Sequence, residues 1–149
     1  MTIVSRSNFG GYMQQGEDET VPSYTKEQLL WKIRTALAGR ASEIVFYGEE
    51  QGVNTGVSSD LEQATALAVK MACRYGMLED SLVSLDFETI LGTSAGDAAL
   101  EKVQDILRQE METTLELIRQ GREKVDALAK ALLEKNHLLE TEIAAILAV

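Results

Sequence analysis

A chain of 149 residues and 16.4 kDa fits one domain. It can bury roughly 68–70% of its unfolded surface, enough for a core without covalent staples. Its 14 Lys and Arg against 24 Asp and Glu leave a net charge of −10, which repels phosphate and argues against nucleic acid or an anionic membrane as partner.

The opening residues, MTIVSRSNFGG, lack the apolar centre of a signal peptide, and no run reaches the roughly eighteen apolar residues of a membrane span. The chain therefore reads as soluble and cytoplasmic. β-Branched Thr2-Ile3-Val4 and the Tyr12-Met13 pair after Gly10-Gly11 predict a short N-terminal β element around a glycine turn. The polar stretch 14–23, QQGEDETVPS, predicts an exposed loop. It holds the chain's single proline, Pro22, so long helices can follow without interruption.

Thr25-Lys26-Glu27-Gln28 forms a capping box. Leu29, Leu30, Ile33, Ala36, Leu37, Ala41, Ile44 and Val45 then recur at helical spacing up to Gly48, with small residues that allow close approach of a neighbour. Residues 49–56 predict a loop. Ser58 or Ser59, with Glu62 three residues after the latter, is expected to cap a second helix whose inner stripe is Leu61, Ala64, Leu67, Ala68, Met71 and Tyr75, closing at Gly76. The stretch 77–96 is irregular, with a strand expected over 82–87. From 97 to 135 the apolar positions step by three or four, predicting one long helix with a potential break at Gly121, and 142–149 predicts a last short helix. The fold class is mainly α with a short N-terminal β element.

The middle of the chain is more specific. It reads Leu37-Ala38-Gly39-Arg40-Ala41-Ser42-Glu43, then Val45-Phe46-Tyr47-Gly48, then Asn54-Thr55-Gly56-Val57-Ser58-Ser59-Asp60-Leu61, and closes with Arg74-Tyr75-Gly76-Met77. This run resembles the peptidase domain of the FtsH family of ATP-dependent zinc metalloproteases, with its GRAAEE-type helix, TTGAS-N-DL segment and YGM close. Tyr24-Thr25-Lys26-Glu27-Gln28-Leu29-Leu30 and Ala131-Leu132-Leu133-Glu134-Lys135 extend the resemblance over nearly the whole chain. Ile44 stands where the family carries its second glutamate. The single histidine leaves no HExxH pair, the two zinc ligands with a water-activating glutamate between them, and no Walker lysine is present. The resemblance therefore implies a piece of a longer protease, without catalytic residues of its own and inactive alone. A non-catalytic interaction or assembly module on the same scaffold is the competing reading, and an unrelated helical bundle a more distant one.

Asp60 matches the family's third zinc ligand. Its place in the first turn of a helix favours a carboxylate on electrostatic grounds, although acids are common there for capping reasons alone. Glu43, in the GRAAEE position, is a candidate hydrogen-bonding partner to a ligand, against a plain helix-surface pairing with Arg40. Thr2, Ile3, Val4 and Ser5 are candidates for an edge strand that pairs with an extended substrate backbone. His137 reads as a cation-capable side chain near a predicted helix C-terminus rather than a ligand. Cys73 reads as a small buried hydrophobe, and Trp31 as packing or interface. By resemblance the cofactor is zinc, not expected to be held by this chain alone. ATP would act only through a module outside these residues. Partners would be further copies in a hexamer and protein substrates, and the longer protease would be membrane-anchored with this domain in the cytoplasm.

Overall fold

The computed structural model describes residues 1–2, 23–53, 55–78 and 82–148. They form helices α1 (Lys26–Tyr47), α2 (Glu49–Gly52), α3 (Ser58–Cys73), α4 (Phe87–Ile90), α5 (Ser94–Gln120), α6 (Arg122–Lys135) and α7 (Glu140–Leu147), with a 3₁₀ turn at Thr55–Val57. The mainly α class stands. The expected N-terminal β element falls on residues outside those described, apart from Thr2. The chain divides into two compact units, 23–119 and a second made of 1–22 with 120–149.

In the 23–119 unit, α1 begins on the predicted capping box. Gln28 N–H donates to Thr25 Oγ1 at 3.3 Å, and Thr25 N–H donates to Gln28 Oε1 at 2.9 Å, satisfying two backbone donors the helix start leaves open. Leu29, Ile33, Ala36 and Leu37 face inward against Ala64, Ala68, Met71 and Ala72 of α3, and Val103 and Ile106 of α5 complete the cluster. Both stripes step by four, three and one, the signature of one buried helical face. Ile33 and Met71 are fully buried, each contributing about 1.5–3 kcal/mol by removal from water.

α5 meets α1 through charge as well. The Arg34 guanidinium donates through Nε to Glu110 and through Nη1 to Glu27 at 3.1 Å. Glu110 is 7% exposed and Thr114, one turn on, is buried too, its hydroxyl donating to the Glu110 carbonyl at 2.6 Å. Hydrogen bonding to Glu110, with its charge, raises the Arg34 pKa further above its ordinary value, against the opposing effect of burial. The Arg34 guanidinium thus stays charged across the physiological range.

Four local expectations change. The expected loop 49–56 contains α2, because residues 49–51 (EEQ) accept helical geometry and Gly52 N–H closes the turn on the Gly48 carbonyl at 2.8 Å. Neither Ser58 nor Ser59 caps α3. Val57 holds the N-cap place with no side-chain bond, and the 3₁₀ turn runs directly into the helix. The strand expected over 82–87 is irregular up to Asp86, then turns into α4. Its backbone is tied instead to the end of α3, Leu85 N–H donating to the Cys73 carbonyl at 2.7 Å. The single long helix of 97–135 is two, divided at Gly121, whose φ of −90° and ψ of 11° leave the α region.

In the second unit, α6 ends on Asn136 in the left-handed conformation, φ 60°. Asparagine tolerates this better than most residues. Lys124 Nζ donates to the Leu147 carbonyl and Lys135 Nζ to Glu142. Pairing the start of α6 with the end of α7, and the reverse, makes the two helices antiparallel. Glu142 also accepts the Leu139 N–H at 2.9 Å. That bond, then Lys135, holds the Glu142 carboxyl below the ordinary glutamate range. A lowered folded pKa gives stability that is present above the unfolded value and lost as pH falls through the folded one. Protection factors of the amides of Leu139 to Ile143, taken relative to intrinsic exchange at each pH, should therefore fall on acidification below the ordinary carboxylate range. Glu142→Gln, which keeps the acceptor but not the charge, should remove most of that acid dependence.

Candidate functional site

Asp60 lies in the first turn of the 16-residue α3, where its charge meets the positive end of the helix dipole. Its side chain is exposed. One carboxylate oxygen, Oδ2, comes within 3.8 Å of the place a Cβ on Gly39 would take. The glycine of the Gly39-Arg40-Ala41 run thus leaves the α1 surface low beneath this carboxylate. Glu43 sits one turn further along α1, half-buried. Since residues i and i+4 share a helix face, Gly39 and Glu43 lie on the same side of α1.

α2 closes on the α1 backbone at Glu43 and Ile44. A Cβ on Gly52 would stand 2.6 Å from the Glu43 carbonyl carbon, 2.6 Å from the Ile44 nitrogen and 2.7 Å from the Glu43 oxygen. Gly52 is buried, and only a hydrogen in place of a side chain allows this approach. The sequence marked Gly52 only as a residue of a loop. A contact with the backbone of another helix leaves no periodic trace, so no pattern could have revealed it.

The remaining candidates are spread over both units. Cys73 is 3% exposed, and burial, then the nearby Asp86 charge, pushes its thiol pKa up. That is the opposite of what a thiolate nucleophile needs. Arg74 donates to Asp86 at 2.6 Å and, with the Thr89 hydroxyl, holds that carboxyl below its usual range. In the second unit, His137 forms an isolated antiparallel bridge with Thr2. Beside it the Met1 ammonium donates to the Leu138 carbonyl at 3.2 Å, and Leu138 N–H donates back to the Met1 carbonyl at 3.1 Å. Thr2 therefore has β character, with residues 136–138 as its neighbour. Ile3, Val4 and Ser5 lie outside the described residues.

Among the described residues no three His, Cys, Asp or Glu side chains stand together in a way that could hold a metal ion. A catalytic zinc takes three protein ligands, and this donor set does not fit that demand by itself. No helix of the described residues is long and apolar enough to cross a membrane.

Comparison with known proteins decides the lineage. The family model for peptidase family M41 matches residues 1–146. This chain belongs to peptidase family M41. ATP-dependent zinc metalloprotease FtsH of Syntrophus aciditrophicus is 35% identical over 96% of this chain and 21% of its own length. FtsH 3 of Sphaerobacter thermophilus is 35% identical over 99% of this chain and 30% of its own. The chloroplastic FTSH 6 of Arabidopsis thaliana is 33% identical over 99% of this chain and 23% of its own. The chain thus spans between a fifth and a third of these relatives. The resemblance read from 37–77 is confirmed and extends over almost all of this M41 chain.

Proposed function

We propose that this M41 chain is the helical part of an FtsH-type peptidase domain that supplies one carboxylate, Asp60, and the wall around it to a protease site completed by residues outside the chain. The observation that supports this most is the seat of Asp60. A carboxylate in the first turn of a rigid helix, low over a glycine of the neighbouring helix, is well placed as a hard oxygen ligand. Glu43, one turn from Gly39, would act through hydrogen bonds that orient the site. Residues 2–5 would offer backbone to an extended substrate. Zinc, when bound in the complete site, supplies Lewis acidity and a lowered pKa of bound water. The residues here would hold one of its ligands, Asp60. The relatives named above are ATP-dependent zinc metalloproteases, and ATP-driven delivery of protein substrates is proposed for the longer protein on that likeness. Self-association is proposed as well, supported by large apolar groups at the surface of α1, with Trp31 57% and Tyr47 68% exposed.

Two measurements test the proposal on the chain itself. The purified chain should not cleave casein with or without added zinc, because it holds neither a water-activating HExxH glutamate nor a second histidine. Metal analysis after dialysis should find well under one zinc per chain. Chelator-sensitive cleavage would overturn the proposal. So would stoichiometric zinc that is lost on His137→Ala, because the chain would then hold a site of its own.

A further inference from the structure

We propose that Gly52 is a positioning residue that sets where the Asp60 carboxylate stands. The inference rests on the reading of Asp60 as the functional carboxylate, and deepens it by naming what holds that carboxylate in place. Two contacts along α1, one turn apart, carry it. Asp60 sits over Gly39, and Gly52 sits against the backbone at Glu43 and Ile44, one turn away. Between them run only Val53, residue 54, the 3₁₀ turn 55–57 and the first two residues of α3. Val57, which leads into α3, is itself buried at 9% exposure.

The atoms that a Cβ at 52 would strike are backbone atoms of α1, which cannot rotate away as a side chain would. A methyl group there must lift α2 from α1. Ordinary contact begins near 3.4 Å against the 2.6 Å found. That displacement is passed along residues 53–59, with the buried Val57 among them, to the first turn of α3. A loose α2 would leave Asp60 on a helix start with one anchor fewer. A functional carboxylate needs to be held to within about 0.5 Å.

The test uses the 149-residue chain. In Gly52→Ala, amides of Leu61 to Ala64 should exchange at least tenfold faster than in the wild type, measured relative to Ile33 and Val103 in the core. The Gly39 amide and Hα chemical shifts, which sense the Asp60 carboxylate beside them, should move. Gly92→Ala is the control. Gly92 has a φ of +77° with open space around it, so its substitution strains the same unit without touching the α1–α2 contact. If Gly52→Ala leaves the Gly39 shifts unchanged, and moves Leu61 to Ala64 no more than Gly92→Ala does, the proposal is overturned. Should Gly52→Ala fail to fold, native exchange of the wild type in low urea decides. Gly52 and Leu61 to Ala64 should open as one unit, and opening of Gly52 alone while the others stay protected would overturn it. Failure of the Asp60 assignment would show separately, as a longer protease still active with Asp60→Asn, and would leave these exchange results unchanged.

Discussion

Glu110→Ala should destabilise the 23–119 unit by about 3–5 kcal/mol, the cost of stranding the charge of a buried pair. Glu110 is 7% exposed, and the Arg34 side chain that bonds it is 18% exposed. Removing the carboxylate leaves a largely buried guanidinium with Glu27 and, 6.0 Å away, the Trp31 ring, and Glu27 lies 73% exposed, where water weakens the attraction. Urea unfolding followed by circular dichroism would measure the loss. The double variant Arg34→Met with Glu110→Leu should recover most of it, because replacing a buried pair with apolar groups of similar volume is often neutral or better. A single variant that unfolds at the wild-type midpoint would show that the pair is solvated in solution. Glu27→Gln should cost under about 1 kcal/mol, as exposed pairs do, which separates the two arms of the Arg34 cluster.

If this chain is part of the proposed longer protease, Asp60→Asn should abolish that protein's proteolysis while leaving its ATP hydrolysis largely intact. The amide keeps the shape and an oxygen acceptor but loses the charge that a carboxylate brings to zinc. In the 149-residue chain alone the same change removes only the carboxylate's interaction with the α3 dipole, about 0.3–1 kcal/mol. Asp60 is exposed, so solvent screening places the effect toward the low end. Casein assays on the longer protein and thermal melts of the chain read the two halves. A protease that remains fully active, or a chain that unfolds, would make Asp60 a structural acid.

What the sequence settled by itself is local or periodic. The capping box at Thr25 and Gln28 depends on three residues' separation and formed as predicted. Leu29, Ile33 and Leu37, with Ala64, Ala68 and Met71, follow the 3.6-residue turn and became the core, whereas Leu61 and Tyr75, expected on the same inner stripe, are exposed. Gly121 lacks a side chain to hold helical geometry and divided the predicted long helix. The motif run from Gly39 to Met77 was specific enough to indicate the family before any fold was known, and it singled out Asp60 from 24 acidic residues.

The tertiary structure decided whatever depends on which elements touch. The serines at 58 and 59 are good caps in isolation, yet the 3₁₀ turn feeding Val57 into α3 removed the extended N-cap backbone that a serine cap needs. The sequence could not pair Arg34 with Glu110, because 76 residues separate them and no short-range rule links α1 to α5. Gly52 looked like any loop glycine until its missing Cβ was seen to be where the Glu43 and Ile44 backbone comes closest. Periodicity reports which side of a helix is apolar, because that follows from one helix alone. How near another backbone comes to that side is a property of the packed pair, so the seat of Asp60 was fixed only when α1, α2 and α3 met.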